Sequence, residues 1–444
     1  MPRNISIPRS WSRSIPARRA PGRPGASSIR RIAEIRAGFE RPFWIANISE
    51  IFERLSYYAV FSVLALYLHD TLSLSSEASA SLSGIFGGAV WVMAVFGGAL
   101  ADRIGFRRAL STAYFILACA YFLVGSIGAP WLAPARAVMP LGLLAGVILF
   151  LPALGVALVK PAVVGTTARA SRENVRSLGY SIYYTMVNIG STAGPFLAGW
   201  LHARMPPQAV FAIAAASVAA MCVVVLVFYR EPRRPAAAAS LAQSARDLLT
   251  VVRNGRFVLF LLIFSGFWIV FWQQYLILPI YLHDYVDPNA NTALILITDP
   301  LVVITCTVAL NALTVRLSAF RAIVLGTLIS SLGWIALAVH PSVISAVLSL
   351  AIVALGEITL SPRYYEYVSR LAPPEQQGTY MGFAFLPIGI GSLAGGWLGG
   401  ALVHALGESA HRPALIWVAL TGLGLLTTLL LWFYERTSQT YSLQ

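Results

Sequence analysis

The chain has 444 residues, of which 57% are apolar and only 11% charged, where an ordinary soluble domain carries about 25% charged residues. That composition excludes a soluble enzyme or binding module and implies a chain that crosses a bilayer repeatedly. The net charge of +14 would fit a nucleic-acid ligand, but the placement of the charge along the chain argues otherwise.

Residues 1–43 form a basic tail rich in Arg, Ser and Pro, with Glu34 and Glu40 as its only acids. The tail lacks the apolar core of a secretory signal and reads as disordered. A crossing needs about 20 apolar residues. Twelve such stretches follow, at 44–68, 80–101, 109–128, 138–166, 177–203, 209–229, 257–283, 293–315, 322–340, 342–368, 377–404 and 411–434. With the N-terminus in the cytoplasm, 27 arginines fall on the inside and three (Arg136, Arg204, Arg412) on the outside. An excess of this size sets orientation, with both termini cytoplasmic, and places the protein in the inner (plasma) membrane. The net charge is then a topology signal with attraction to anionic lipid, and no nucleic-acid partner is implied.

Residues 231–256 divide six spans from six and read as a linker with a short basic surface helix, leaving 44–230 and 257–434 as two bundles and 435–444 as a cytoplasmic tail. The halves echo each other. "LGVALVKP" (154–161) and "LGEITLSP" (355–362) match at the same offset as "IGSTAG" (189–194) and "IGSLAG" (390–395), and "YLHD" recurs at 67–70 and 281–284. Repeats of this kind place a substrate site near mid-membrane between the halves. The fold expected is therefore all-α, with twelve transmembrane helices in two pseudo-symmetric bundles. Between spans 2 and 3, "GGALADRIGFRR" combines Gly98 and Gly105 for close packing, Asp102 for a helix N-terminus, and Arg103 and Arg107 facing the cytoplasm.

Ionisable residues inside spans cost roughly 2.5–3.5 kcal/mol each, so they carry the sharpest functional signal. Span 1 holds Glu50, Glu53, Arg54, Tyr57 and Tyr58 at helical spacing, with a carboxylate four residues before the arginine. A purely structural ion pair would not need the second acid. Lys160 is the sole lysine among 32 basic residues and sits in an apolar run. A lysine is a compact charge whose protonation responds to burial, so the choice points to an exchangeable ion pair. Glu357 in span 10 is the matching anion, and together they would form a latch across the halves; a buried charge stripped of its partner costs about 3–5 kcal/mol. Asp299, before Pro300, either faces the cavity or caps a helix. Asn188, Gln273, Gln274 and Ser361 supply polar groups, and the aromatics of 266–275 are read as facing lipid or neighbouring helices. The three cysteines and six histidines show no ligand spacing, so no metal, cofactor or enzymatic constellation is implied.

These motifs together resemble the proton-dependent oligopeptide transporter family of the major facilitator superfamily. "EIFERLSYY" is similar to E-x-x-E-R-F-x-Y-Y, "VKP" to a span 4 lysine-proline, "YYTMVNIGS" to F-Y-x-x-I-N-x-G-S, "FWIVFWQQ" to F-W-x-x-F-D-Q-Q, and "GEITLSP" to G-E-x-x-x-S-P. The resemblance implies proton-driven uptake of di- and tripeptides by alternating access. Arg54 and Lys160 would hold the peptide carboxylate. Glu357, Asn188 and Asp299 would hold its amino group, with Tyr57, Tyr58, Gln273 and Ser361 around the substrate and Glu50, Glu53 and Glu357 as proton carriers. The partners implied are a peptide-like small molecule, protons and the bilayer. The chain departs from the family at Trp272, where the resemblance leads one to expect an acid, and at Phe61, where it leads one to expect the partner arginine. Trp91 stands for a tyrosine and Ala384 for a tryptophan. These departures leave open a carrier or exporter of another metabolite, and a membrane receptor that no longer transports.

Overall fold

The computed structural model describes residues 38–232, 251–314, 316–372 and 377–441; the basic tail up to residue 37 and most of the linker, with its expected surface helix, lie outside the described residues. Twelve long helices run in chain order: α1 (Arg41–Leu66), α2 (Ser76–Ile104), α3 (Phe106–Ser126), α4 (Leu141–Arg169), α5 (Arg176–His202), α6 (Gln208–Phe228), α7 (Gly255–Phe271), α8 (Thr298–Thr314), α9 (Ala319–Gly333), α10 (Val343–Leu371), α11 (Leu386–Leu402) and α12 (Ala414–Tyr441). Each falls on one of the twelve apolar stretches. Among the described residues, ten helical segments are long and apolar enough to cross a membrane. The other two, α2 with 29 residues and α5 with 27, also have the length. Several helices overrun their apolar stretches, α12 as far as Tyr441, because a helix can continue past the hydrocarbon core.

Local sequence sets the ends. Ser75, Asn254, Ser318 and Ser342 cap α2, α7, α9 and α10 by accepting hydrogen bonds from the first-turn amides. Gly105, with φ 92°, makes the turn between α2 and α3, a conformation that side chains resist. The Glu231 carboxylate then accepts the Phe106 and Arg107 amides at 2.8 Å, closing the N-terminus of α3. Arg103 and Arg107 are exposed, and the Arg107 guanidinium donates to the Leu226 carbonyl. Gly98 and Asp102 lie within α2; their surroundings are outside the described residues. Beyond α7 the chain continues as Gln273–Leu276 and Leu278–Tyr285, with the second break just before Pro279.

Helix α4 carries two internal prolines, Pro152 and Pro161. Pro161 has no amide to give to the Ala157 carbonyl four residues back. α2 packs directly on that carbonyl: a Cβ added at Gly97 would lie 1.8 Å from Ala157 O. The sequence thus brings α2 against α4 one turn before Lys160.

The halves α1–α6 and α7–α12 meet at the end of the molecule opposite the arginine-rich segments. There α2 and α11 cross so closely that a Cβ on Gly84 would stand 2.6 Å from Ser392 O, and Ser392 donates to Gly84 O at 3.2 Å. Asn291, ahead of α8, donates to Gly199 O of α5 at 2.9 Å. An aromatic layer lies beneath: Phe61 of α1 stacks on Tyr275 at 4.7 Å and touches Trp272 at 5.5 Å and Phe86 at 5.3 Å. Toward the arginine-rich end a cavity separates the halves as far as Met381 and Gly382, ahead of α11.

Gly97→Ala is expected to cost about 1–3 kcal/mol by overpacking. Gly422→Ala, in α12 with nothing within 4 Å of its added Cβ, should keep stability or raise it by up to about 1 kcal/mol. Thermal unfolding of the two variants in detergent checks the contrast.

Candidate functional site

The cavity between the halves has a volume of about 720 Å³ and draws side chains from both. Arg54 and Tyr58 come from α1, Trp91 from α2, Lys160 from α4, and Asn188 and Ser191 from α5. The facing half contributes Trp268, Phe271, Trp272 and Tyr275, then Asp299 of α8 and Glu357, Ser361 and Tyr365 of α10. Both cations therefore stand on the first half and both acids on the second.

The cationic wall is anchored behind the cavity. Glu53 and Arg54 are buried and form a two-point pair, the Arg54 Nε and Nη2 groups donating to the two Glu53 carboxylate oxygens, the second at 2.6 Å. The residue expected as partner, Glu50 four residues back, is 3.7 Å away, and neither of its oxygens has a hydrogen-bond partner among the described residues. The adjacent residue takes the planar fork because its carboxylate meets both nitrogens at once. Arg54 also lies 5.0 Å from the centre of the Tyr57 ring.

Lys160 departs from expectation. Its Nζ sits 3.7 Å from the centre of the Trp91 ring, and among the described residues it makes no ion pair. The latch expected between Lys160 and Glu357 is absent, because the cavity lies between α4 and α10 and the indole offers the nearer face. Trp91 in turn stacks on Phe385 at 5.7 Å, joining the two halves at this level.

On the opposite wall Asp299 and Glu357 lie within electrostatic reach of each other. Asp299 is 6% exposed, and its Oδ1 has no partner among the described residues. It lies in the first turn of α8 and lines the cavity, the first of its two sequence readings, and among the described residues its Oδ1 caps no helix amide. Asn188 donates to Tyr184 O at 2.8 Å, and with Ser361 it lines the cavity as expected.

Three expected residues lie outside the cavity lining. Gln273 donates to Ile269 O at 2.7 Å and Gly395 O at 3.1 Å, fixing the break after α7 against α11, and Gln274 is fully buried and not part of the lining. Tyr57 packs flat on Phe86 at 5.1 Å. The aromatics of the α7 run, read as facing lipid or neighbouring helices, instead line the cavity at Trp268, Phe271, Trp272 and Tyr275. Spacings of three to four residues mark them as one helix face, a signal present in the sequence. Phe61 and Trp272, the positions that break the family pattern, touch each other, so an aromatic contact stands where the resemblance leads one to expect a charge pair. Among the described residues no His, Cys, Asp and Glu side chains are grouped as a metal site.

Among the described residues, twelve helices around a central cavity with charged and aromatic walls define a polytopic membrane carrier. Residues 46–386 match the Major Facilitator Superfamily, and the chain belongs to that superfamily of secondary transporters. It is 25% identical over 387 residues to the multidrug resistance protein MdtH of Edwardsiella ictaluri, covering 85% of this chain and 90% of that protein. The Escherichia coli MdtH is 24% identical, with 86% and 91% covered. Among solved structures, a POT family transporter in complex with 5-aminolevulinic acid superposes with a TM-score of 0.75 at 19% identity, covering 89% of this chain and 96% of that one. A peptide transporter POT in complex with sulfate gives 0.71 at 20% identity, covering 91% and 98%. The likeness to these structures establishes the shared fold.

Glu53→Gln is expected to destabilise by up to about 3–5 kcal/mol by removing the two-point partner of the buried Arg54, which keeps only the longer pair with Glu50 at 3.7 Å. The double variant Glu53→Gln/Arg54→Gln should regain most of that loss. Unfolding midpoints of the three proteins check the cycle.

Proposed function

We propose that the chain couples the proton gradient to uptake of a di- or tripeptide, or a peptide-like zwitterion, by alternating access in the inner membrane. The observation that carries this reading is the division of charge: Arg54 and Lys160 on one wall, Asp299 and Glu357 on the other, across one cavity. A zwitterion presents the complementary polarity. Arg54 and Lys160 take its carboxylate; Glu357, Asp299, Asn188 and Ser361 take its ammonium end; Tyr58 packs against its body. Residues 44–230 and 257–434 move as the two units, with Gly98, Asp102, Arg103, Gly105 and Arg107 at the pivot loop, and both termini lie in the cytoplasm.

The proton route in this reading runs through Glu50, Glu53 and Glu357, since Phe61 and Trp272 hold no proton. Glu53 is tied to Arg54, whereas Glu50 keeps both oxygens without a hydrogen-bond partner among the described residues, which favours Glu50 as the acceptor on that wall. A second reading has a specific observation behind it. The aromatic wall of Trp268, Phe271, Trp272 and Tyr275 suits a bulky amphiphile, and the MdtH relatives are named for multidrug resistance.

Proteoliposomes decide between the readings. Dialanine uptake should require an inward proton gradient and fall roughly 10–100-fold in Lys160→Gln or Glu357→Gln, the loss of one charged hydrogen bond to substrate. Absent or gradient-independent dialanine uptake, with gradient-driven movement of ethidium, would replace the peptide reading by drug export.

A further inference from the structure

The Tyr and Leu of each "YLHD" copy are buried in the packing of its half, which leaves the His and Asp of both copies without a role in the cavity or the core. Its first copy ends the turn Tyr67–Thr71 after α1, and its second ends the segment Leu278–Tyr285 after α7. At the closed end of the molecule the two copies reach across and pair reciprocally. His69 Nε2 lies 3.3 Å from Asp284 Oδ2, and His283 Nε2 lies 3.5 Å from Asp70 Oδ2. The remaining ring nitrogens are also engaged. His69 Nδ1 meets the Leu74 carbonyl at 3.0 Å, and His283 Nδ1 meets Asp284 Oδ1 at 2.7 Å.

All four ring nitrogens therefore face oxygens that, as carbonyl or carboxylate, only accept. A neutral imidazole has one N–H and one lone pair, and only the imidazolium donates from both sides. Each histidine needs one additional proton to satisfy the contacts drawn here, whether the proton sits on the ring or on the facing carboxyl. The side chains are 22% to 50% exposed, so water at that end can deliver it.

We propose that His69, Asp70, His283 and Asp284 form a proton-binding clasp, a site separate from the transport cavity, which holds the two halves shut at the outer mouth when protonated and releases them when it loses its protons. The ligand is the proton of the external medium. The proposal rests on the arginine-rich end facing the cytoplasm and is independent of the identity of the substrate.

The surroundings set the sign. With both histidines protonated, the four side chains sum to neutrality; without the protons, Asp70 and Asp284 face each other's halves as bare anions. From the other elements packed here, Glu408 beyond α11 acts on His69 and is paired with His404 at 2.9 Å. Glu77 of α2 acts on His404, His202 of α5 shares a small pocket with Asp70, and Tyr285 adjoins Asp284. The acids of this shell add to the repulsion when the histidines are neutral. Burial opposes ionisation of Asp284, but hydrogen bonds with His69 and His283 outweigh it and hold its carboxyl below the usual range. Closure is thus supported from below the ordinary carboxylate range, about 3.9, up to the histidine range, about 6.5, and fades as pH rises beyond it.

The test uses the full chain in lipid nanodiscs without substrate. Spin labels go on Ala133→Cys and His340→Cys, exposed positions near the closed end of each half, in a Cys119→Ser/Cys222→Ser/Cys306→Ser background. Pulsed dipolar spectroscopy gives the ratio of short to long distances. That ratio should fall severalfold from about pH 5.5 to about pH 8, as the histidines lose their protons. His69→Gln/His283→Gln, which keeps neutral hydrogen bonds, should lose the pH response, and Asp284→Asn, which removes the negative charge and one of the two oxygens facing the rings, should reduce it. A parent protein indifferent to pH, or a double variant that keeps the full response, would overturn the proposal.

Discussion

The ammonium of Lys160 rests 3.7 Å from the centre of the Trp91 ring and makes no ion pair among the described residues. Much of the site's organisation follows from that placement. A cation inside a membrane protein must be stabilised, and an aromatic face does so without cancelling the charge. Arg54, by contrast, is held by both oxygens of Glu53. One wall of the cavity therefore carries a fixed, partnered cation beside one that makes no ion pair among the described residues. The facing wall carries Asp299, whose Oδ1 is likewise without a partner, next to Glu357. Opposite charges left open toward one cavity form a binding polarity.

The same division explains how an aromatic contact can occupy a place where a charge pair was expected. Phe61 and Trp272 touch across the halves and, with Phe86 and Tyr275, form the layer that separates the cavity from the closed end. Exchanging a buried ion pair for packed apolar groups of similar volume is often neutral or stabilising, provided both partners go together. Closure at this level then depends on packing, and the titratable groups that respond to the outside lie higher, in the two "YLHD" segments.

Much of this was legible in the sequence, for a physical reason. Charges in apolar spans are expensive, so Arg54, Lys160, Asp299 and Glu357 stood out, and the structure gathers all four around one cavity with Asn188 and Ser361. Helix rotation was less legible. Gln273 and Tyr57 belong to the matched motifs yet face neighbouring helices, since a motif fixes spacing along a helix and leaves its azimuth to packing. The Lys160–Glu357 pairing was inferred from charge and repeat register, which carry no information about the width of the space between α4 and α10. The four lining aromatics of α7 could have been found from their spacing. The preference of Arg54 for the adjacent Glu53 over Glu50 is a matter of side-chain geometry that spacing rules do not resolve.

Because Lys160 is the only lysine, it can be observed alone. Reductive methylation with 13C-formaldehyde gives one dimethyl-lysine resonance besides the chain terminus and keeps the positive charge. The account predicts that this resonance lies away from the solvent-exposed position and shifts on saturation with a zwitterionic ligand such as dialanine. A resonance at the position of a free, hydrated lysine, unmoved by any transported ligand, would contradict the claim that this ammonium belongs to the shared cavity.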